Sequence, residues 1–318
     1  MDAPQLISRR QALAAGMSDS QLQRLCRSGQ WQRIRAGHYV NAPQPALTPA
    51  GRHLMLVLAM CEAMSDDAVA SHCSALVLHG LPTWSIPLER AHVTRDRIAG
   101  GRIRKQLVLH SAQIAPDEIT LINGVRVTTV PRTIFDITRS VGFEYAVVCG
   151  DSALRQGLTT VGELGEHLRR AAHRRGARQA ARAIEFLDGR SESVGESRSR
   201  VAFQESGLPA PELQARVCTD DAVCVGRVDF LFDELGVIGE FEGQSEQHSA
   251  LGGARLPAQW TVAAPDRDDQ LRALGWAVVR WTWTDLDDPV QLAERIRAAA
   301  EVARRAHRTG HWIPTLRS

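Results

Sequence analysis

Four carboxylates in the C-terminal third of the chain have types and spacing that could do chemistry together. Asp229 lies in the apolar run GRVDFLF, and Glu240 and Glu242 stand two residues apart in GVIGEFEG. Residues i and i+2 of an extended strand share a face, so Glu240 and Glu242 point the same way. Like charges side by side repel, and burying either one is costly unless a cation or hydrogen-bond donors compensate. If the two runs pair as a hairpin across DELG, Asp229 comes to lie beside the pair. Glu196, in the helical run ESRSRVAFQESG, adds a fourth oxygen from outside the sheet. An oxygen-only metal set of Asp229, Glu240 and Glu242 suits a hard cation such as Mg²⁺, which polarises a phosphate and acidifies bound water. The opposing reading is a solvated strand face whose acids pair with the chain's many arginines.

A second group carries binding chemistry. In SDSQLQRLCRSG, Leu22, Leu25 and Cys26 fall at i, i+3 and i+4 and turn toward a core. Ser20, Gln21, Gln23, Arg24 and Arg27 are left facing solvent. Gln reads adenine and Arg reads guanine in the major groove, while Arg33 and Arg35 of WQRIRAGHYV would contact phosphates of double-stranded DNA. Against this stands a generic solvated helix or a protein-binding face. The arginine-rich stretch 169–182 is a further phosphate-contacting candidate, though charged helix faces are usually just solvated. Arg132 and Asp136, spaced i and i+4, read as an ordinary surface pair.

These residues need elements to hold them, and three blocks supply them. Residues 1–45 repeat one grammar: Ser8 with Gln11, then Ser18 with Gln21, are helix N-caps, and Gly16 and Gly29 are stops. A hairpin turning at Ala36–Gly37 follows, which together makes a winged helix-turn-helix. Residues 46–188 mix helices, the first capped by Thr48 before Pro49, with short strands, including a hairpin tipped by Asn123–Gly124. Residues 189–318 give a helix, a meander of strands, then helix–strand–helix, an α/β domain with a mixed central sheet. The predicted fold class is therefore α/β multidomain.

Composition sets outer limits. A net charge of +2 over 318 residues does not announce a nucleic-acid partner. Its distribution says more: residues 1–45 hold six arginines against two acids, and Asp220 to Glu246 holds eight acids against Arg227 alone. No apolar run approaches a membrane span and the chain opens on a polar, periodic stretch, so a cytoplasmic protein with no membrane partner is expected. Six scattered cysteines (26, 61, 73, 149, 218, 224) without a C-x-x-C pair are expected to be unpaired.

Two family resemblances sharpen this. GESRSRVAFQESGLPAPELQ, GRVDFLFDELGVIGEFEG and DRDDQLRALGWAVVRWTWTDL resemble the PD-(D/E)XK restriction-endonuclease-like domain in its very-short-patch-repair-like branch. The resemblance implies that Glu196, Asp229 and Glu240 are metal-site acids, with Glu242 in the second acidic position, and that Mg²⁺ serves catalysis. The chain departs from that pattern after Gly243, where QSEQHS puts Glu246 near the family's lysine, leaving His248 as a substitute. Residues 6–40, with ASHCSALVLHGLP and VPRTIFDITRS, resemble AbiEi-type antitoxins of type IV toxin–antitoxin systems. That implies operator binding by the winged helix and a nucleotidyltransferase-type toxin as partner. Three functions follow as expectations. The first is an antitoxin-like DNA-binding regulator carrying a nuclease-fold domain. The second is a Mg²⁺-dependent DNA endonuclease of repair or phage defence, and the third a catalytically dead nucleic-acid or partner-binding protein.

Overall fold

The computed structural model of the chain describes residues 5–41, 46–65, 67–97, 100–243 and 264–316. Two compact units emerge: Met1–Val141 with Gly162–Ala180, and Gly142–Val161 with Ala181–Ser318. The expected breaks at 45/46 and 188/189 do not coincide with this division, because residues 142–161 and 181–188 pack with the C-terminal part.

The first unit begins with β1 (Leu6–Ser8), α1 (Arg9–Ala14), α2 (Asp19–Arg27), β2 (Trp31–Arg35) and β3 (His38–Asn41). The strands form an antiparallel sheet in the order β1-β3-β2. Ser8 and Ser18 cap α1 and α2, each in a reciprocal capping box with the glutamine three residues on, as the spacing predicts. The chain continues through α3 (Pro49–Glu62), β4 (Ala68–Ala70), α4 (His72–Leu78), β5 (Ala91–Arg95), β6 (Arg102–Arg104) and β7 (Leu107–Ser111). Next come β8 (Ile119–Ile122), β9 (Val125–Thr128), α5 (Val130–Ser140), α6 (Phe143–Arg155), α7 (Val161–Arg170) and α8 (Ala177–Phe186). A mixed six-stranded sheet, β6-β7-β5-β4-β9-β8, forms the middle of this unit. At the β8–β9 tip Asn123 and Gly124 take φ of 49° and 77°, the conformation that a tight two-residue hairpin demands of both residues.

Arg132 and Asp136 are corrected by the structure: their pair is buried, with side-chain exposures of 1% and 3%. Arg132 reaches Glu118 at 2.6 Å, Asp136 at 2.8 Å and the Gln113 carbonyl at 3.1 Å. Arg174 approaches Glu118 at 3.2 Å, so a cation from the basic stretch serves this internal network.

The second unit holds α6, α9 (Val194–Glu205), β10 (Glu212–Cys218), β11 (Cys224–Phe232), β12 (Val237–Phe241), α10 (Ala264–Ala273), β13 (Ala277–Trp281), α11 (Pro289–Ala303) and β14 (His311–Ile313). Its sheet runs β13-β12-β11-β10-β14, with β12 and β13 parallel and the other pairs antiparallel. One face buries Phe203 of α9 and Leu292 and Ile296 of α11 with Phe230, Phe232 and Trp281. The other buries Leu271 of α10 with Val228, Leu231, Ile238 and Trp276. Helices on both faces of a mixed sheet make this unit an α/β layered structure. Cys218 and Cys224 face each other across β10 and β11 and form a disulfide, which corrects the expectation that every cysteine is unpaired. Cross-strand register brings their Cα atoms to 4.0 Å.

Candidate functional site

The β11–β12 hairpin forms as its sequence requires, with Phe230 opposite Gly239 and Phe232 opposite Val237. Between β10 and β11, the pairs Leu213↔Phe230 and Ala215↔Val228 place Gln214 opposite Asp229. Here the strands change face. Leu213 and Phe230 belong to one core, while Ala215 and Val228, two residues away, belong to the other. The switch is made at Gln214, whose φ is 55°, a left-handed conformation that costs a non-glycine residue about 1 kcal/mol. The sheet thus gives up ordinary alternation at the two positions whose polar side chains meet α9.

Glu196 is presented by the first turn of α9. Ser193, the N-cap, accepts from the Glu196 N–H and donates to its Oε1 at 2.8 Å. The Glu192 N–H and Gln214 Nε2 both donate to Glu196 Oε2 at 2.8 Å. The close approach of α9 to β12 depends on Gly195. A Cβ there would stand 2.0 Å from the Phe241 ring, so no larger residue fits without separating helix and strand. Asp229 Oδ2 accepts from the Phe241 N–H at 3.0 Å. Glu240 accepts from Arg267 of α10 at 2.8 Å, and the same guanidinium also donates to the Arg227 carbonyl.

Electrostatics follow from this crowding. Burial, and then the Asp229 charge, raises Glu196 to about 8 despite its three donors. Burial and Asp229 likewise raise Glu240 to about 7, with Arg267 and Arg280 opposing. Asp229 is itself raised, chiefly by burial. A raised carboxyl holds its proton in the folded state at pH values where the unfolded chain has released it. The stability it provides is therefore complete below about 4.5, the ordinary glutamate value, and is lost as pH rises through about 8. Glu196→Gln keeps a neutral acceptor in place and removes that titration. It is expected to stabilise the protein at pH 8 by on the order of 2 kcal/mol, with little change at pH 4.5. Thermal melts at both pH values check this, and parallel curves for variant and parent would refute it.

Glu242 does not join the set. It lies past the end of β12, is 52% exposed, and binds Arg280 at 2.7 Å. Arg280, which sits opposite Glu240 in the parallel register, is held from its other side by Asp268. The strand ends before the shared-face geometry can bring Glu242 inward, so the expected metal set loses that member. Gln214 and Arg267 were not expected. Gln214 is 2% exposed, and its Oε1 is buried with no hydrogen-bond partner among the described residues. The expected replacement of the family's lysine at Glu246, and His248 beside it, lie outside the described residues. The site has a cation all the same, supplied by Arg267 from α10.

On α2, Gln23, Arg24 and Arg27 are exposed, and Leu22 is the helix's one fully buried side chain. Gln21 is exposed but spent on the Ser18 cap, so it serves the helix rather than a ligand. Arg33 is exposed on β2. Arg35, expected at the DNA backbone, instead donates to the Ala59 carbonyl at 2.9 Å. It lines a cavity of about 440 Å³ with Arg95, Arg97, Arg102 and Arg104. The basic stretch 169–182 is largely occupied at home. Arg169 pairs with Glu166, Arg170 with Asp117, Arg174 with Glu118, and Arg182 lies over the Phe143 ring. No helix among the described residues is long and apolar enough to cross a membrane.

No protein-family profile matches the chain. Among curated proteins it is similar to two from Mycobacterium tuberculosis. They are the uncharacterized protein MT2308 of strain CDC 1551 / Oshkosh and the uncharacterized protein Rv2248 of strain ATCC 25618 / H37Rv. Each is 27% identical over 244 residues, covering 76% of this chain and 85% of the relative. Among solved structures it is similar to the RV2827C protein of Mycobacterium tuberculosis at a TM-score of 0.39 and 14% identity, over 58% of this chain and 72% of that one.

Proposed function

We propose that this chain is a double-stranded-DNA-binding regulator of antitoxin-like kind, in which β1 to β3 with α1 and α2 act as a winged helix and α2 reads the major groove. One observation carries the reading. A short helix fixed by a capping box at its start and one buried leucine presents Gln23, Arg24 and Arg27 outward, with Arg33 on the adjacent hairpin. A bidentate Gln or Arg supplies base readout and the remaining cations supply salt-dependent phosphate contacts. Titrating the protein onto its own promoter fragment at several salt concentrations tests this. Arg24→Ala and Arg27→Ala should each weaken binding, and each lost phosphate contact should lower the log–log salt slope by about 1. Affinity indifferent to both substitutions would sink the reading. A nucleotidyltransferase-type toxin partner stays an implication of the family resemblance alone.

The unpartnered carbonyl of Gln214 favours a second activity in the same chain, hydrolysis of DNA phosphodiesters by a restriction-endonuclease-like second unit. Asp229, Glu240 and the Gln214 oxygen are the oxygen donors this unit would offer Mg²⁺, and Glu196 holds the Gln214 amide nitrogen. When bound, Mg²⁺ would polarise the phosphate and activate water. Among the described residues, however, the acids do not close into a group whose ligand atoms all lie within 4.8 Å. Arg267 has to release Glu240 first. Mg²⁺- or Mn²⁺-dependent nicking of plasmid DNA that disappears in folded Asp229→Ala and Glu240→Ala proteins is the expected result. Failure to cut any single- or double-stranded substrate would leave the second unit a binding domain.

A further inference from the structure

We propose that His72, His92 and His110 form a transition-metal site of the three-histidine kind, taking Zn²⁺ with water in the remaining position. One potential ligand atom from each residue lies within 4.8 Å of the other two. Their positions are set by three separate elements. His92 and His110 lie on the adjacent parallel strands β5 and β7, where Thr94 pairs with His110, so both rings project from one face of the sheet. His92 Nδ1 and His110 Nε2 are 3.0 Å apart. His72 enters from the β4–α4 junction and stacks on His110 with ring centroids 3.8 Å apart and planes 10° apart.

Two features separate this trio from a chance packing of imidazoles. His72 is held at φ 51°, in the left-handed region, where a β-carbon costs conformational energy. From that backbone its ring lies against the other two. Its Nδ1 lies 3.0 Å from Ser71 Oγ, which also accepts from Thr94 Oγ1 at 2.7 Å. The outer hydroxyl thus holds the ring through Nδ1 and leaves Nε2 of His72 as the nitrogen on offer to a metal, the second-shell arrangement metal-binding histidines use.

The ligand chemistry selects the ion. Three neutral imidazoles suit Zn²⁺ and its borderline neighbours and are poor hosts for Mg²⁺ or Ca²⁺. Nitrogens bound at 2.0–2.1 Å on a tetrahedral ion stand roughly 3.3 Å apart, so His72 has to turn out of its stack on His110 and the His92–His110 hydrogen bond has to break to complete the shell. The cations Arg132 and Arg139 nearby oppose a further positive charge, but Asp136 and Glu118 pair with them, and Asp136 also faces His110. This site shares no residue with the carboxylate site of the second unit.

The test uses untagged full-length protein, equilibrated with Zn²⁺ and dialysed, with bound metal measured by elemental analysis. A parallel sample takes Co²⁺, whose four-coordinate form has intense visible bands. One equivalent of metal and those bands are expected. His72→Gln and His110→Gln should each weaken binding by more than about 100-fold, and His307→Gln, at an exposed histidine, should not change it. Circular dichroism establishes that the variants fold. Wild-type protein that retains no metal, folded His72 or His110 variants that retain it, or loss of binding in His307→Gln would each overturn the proposal.

Discussion

Replacing Arg132 by alanine is expected to destabilise the first unit by about 3–5 kcal/mol, because it strands two buried carboxylates. Arg132 is 1% exposed and bridges Glu118 and Asp136, whose side chains are 5% and 3% exposed. Exposed ion pairs contribute little because water solvates either partner once the other is gone. In the interior neither carboxylate has water to turn to, and Arg174 and Arg139, at 3.2 and 3.4 Å, are more distant from them. Burial alone would raise Glu118, but the Ala115 amide and the Arg132 charge hold it below the ordinary glutamate value, so the parent keeps this stabilisation above about 4.5 and loses it only as pH falls further. Arg132→Met combined with Glu118→Gln and Asp136→Asn should regain most of what Arg132→Ala loses. Denaturant unfolding at about pH 3 and at about pH 7 reads all of this. A loss below about 1 kcal/mol for Arg132→Ala would place the pair in the class of surface bridges.

Trp281→Ala should cost the second unit about 3–5 kcal/mol, the range for deleting a fully buried large aromatic ring. The indole is 1% exposed and packs edge-on to Phe203 at 5.5 Å and against Phe230 at 5.3 Å. It lies over Gly239, where a Cβ would meet it at 2.4 Å, and its Nε1 donates to Ser199 Oγ at 2.8 Å. Alanine removes ring contacts from α9, β11 and β12 together and leaves the Ser199 hydroxyl without that donor. Since those elements carry Glu196, Asp229 and Glu240, loss of any metal response of the second unit should accompany the loss of stability. Chemical denaturation monitored by near-ultraviolet circular dichroism would show an earlier second-unit transition. An unchanged midpoint would mean that the aromatic cluster is not what holds helix and sheet together.

Local chemistry was legible in the sequence where one residue type has one job. Ser8, Ser18 and Thr48 cap helices, Asn123–Gly124 turns a hairpin, and Asp229 faces the β12 strand across a tight turn, all as spacing predicts. Long-range partners were not. Arg132 and Asp136 at i and i+4 look identical whether water or Glu118 lies beyond them, and only the fold supplies Glu118. Gln214 escaped notice because β10, flanked by Pro209 and Pro211, lacks a clear alternating pattern. The left-handed turn that exchanges its two faces removes the very periodicity that would reveal a strand. Arg267 is one of many arginines, and nothing local says that it crosses from α10 to Glu240. Glu242 failed for a simpler reason: the shared-face rule holds only while the strand continues, and β12 ends at Phe241.

The division of the chain has a consequence for how the protein is made and dissected. Each unit is built from two stretches of sequence, so the polypeptide passes between them three times, at 141/142, 161/162 and 180/181. α6 is synthesised long before most of the unit it belongs to. Its Asp151 is 0% exposed and takes hydrogen bonds from the Asp188 amide at 2.7 Å, Ser197 Oγ at 2.9 Å and Arg200 at 2.6 Å. A fragment started at residue 189 would delete that carboxylate and leave the half-buried Arg200 guanidinium and the buried Ser197 hydroxyl without it, on the same helix that presents Glu196. During translation α6 must wait for α9, while the first unit cannot close until residue 180 has emerged. No single cut releases either half intact, so the candidate DNA-reading helix and the candidate carboxylate site are inherited together.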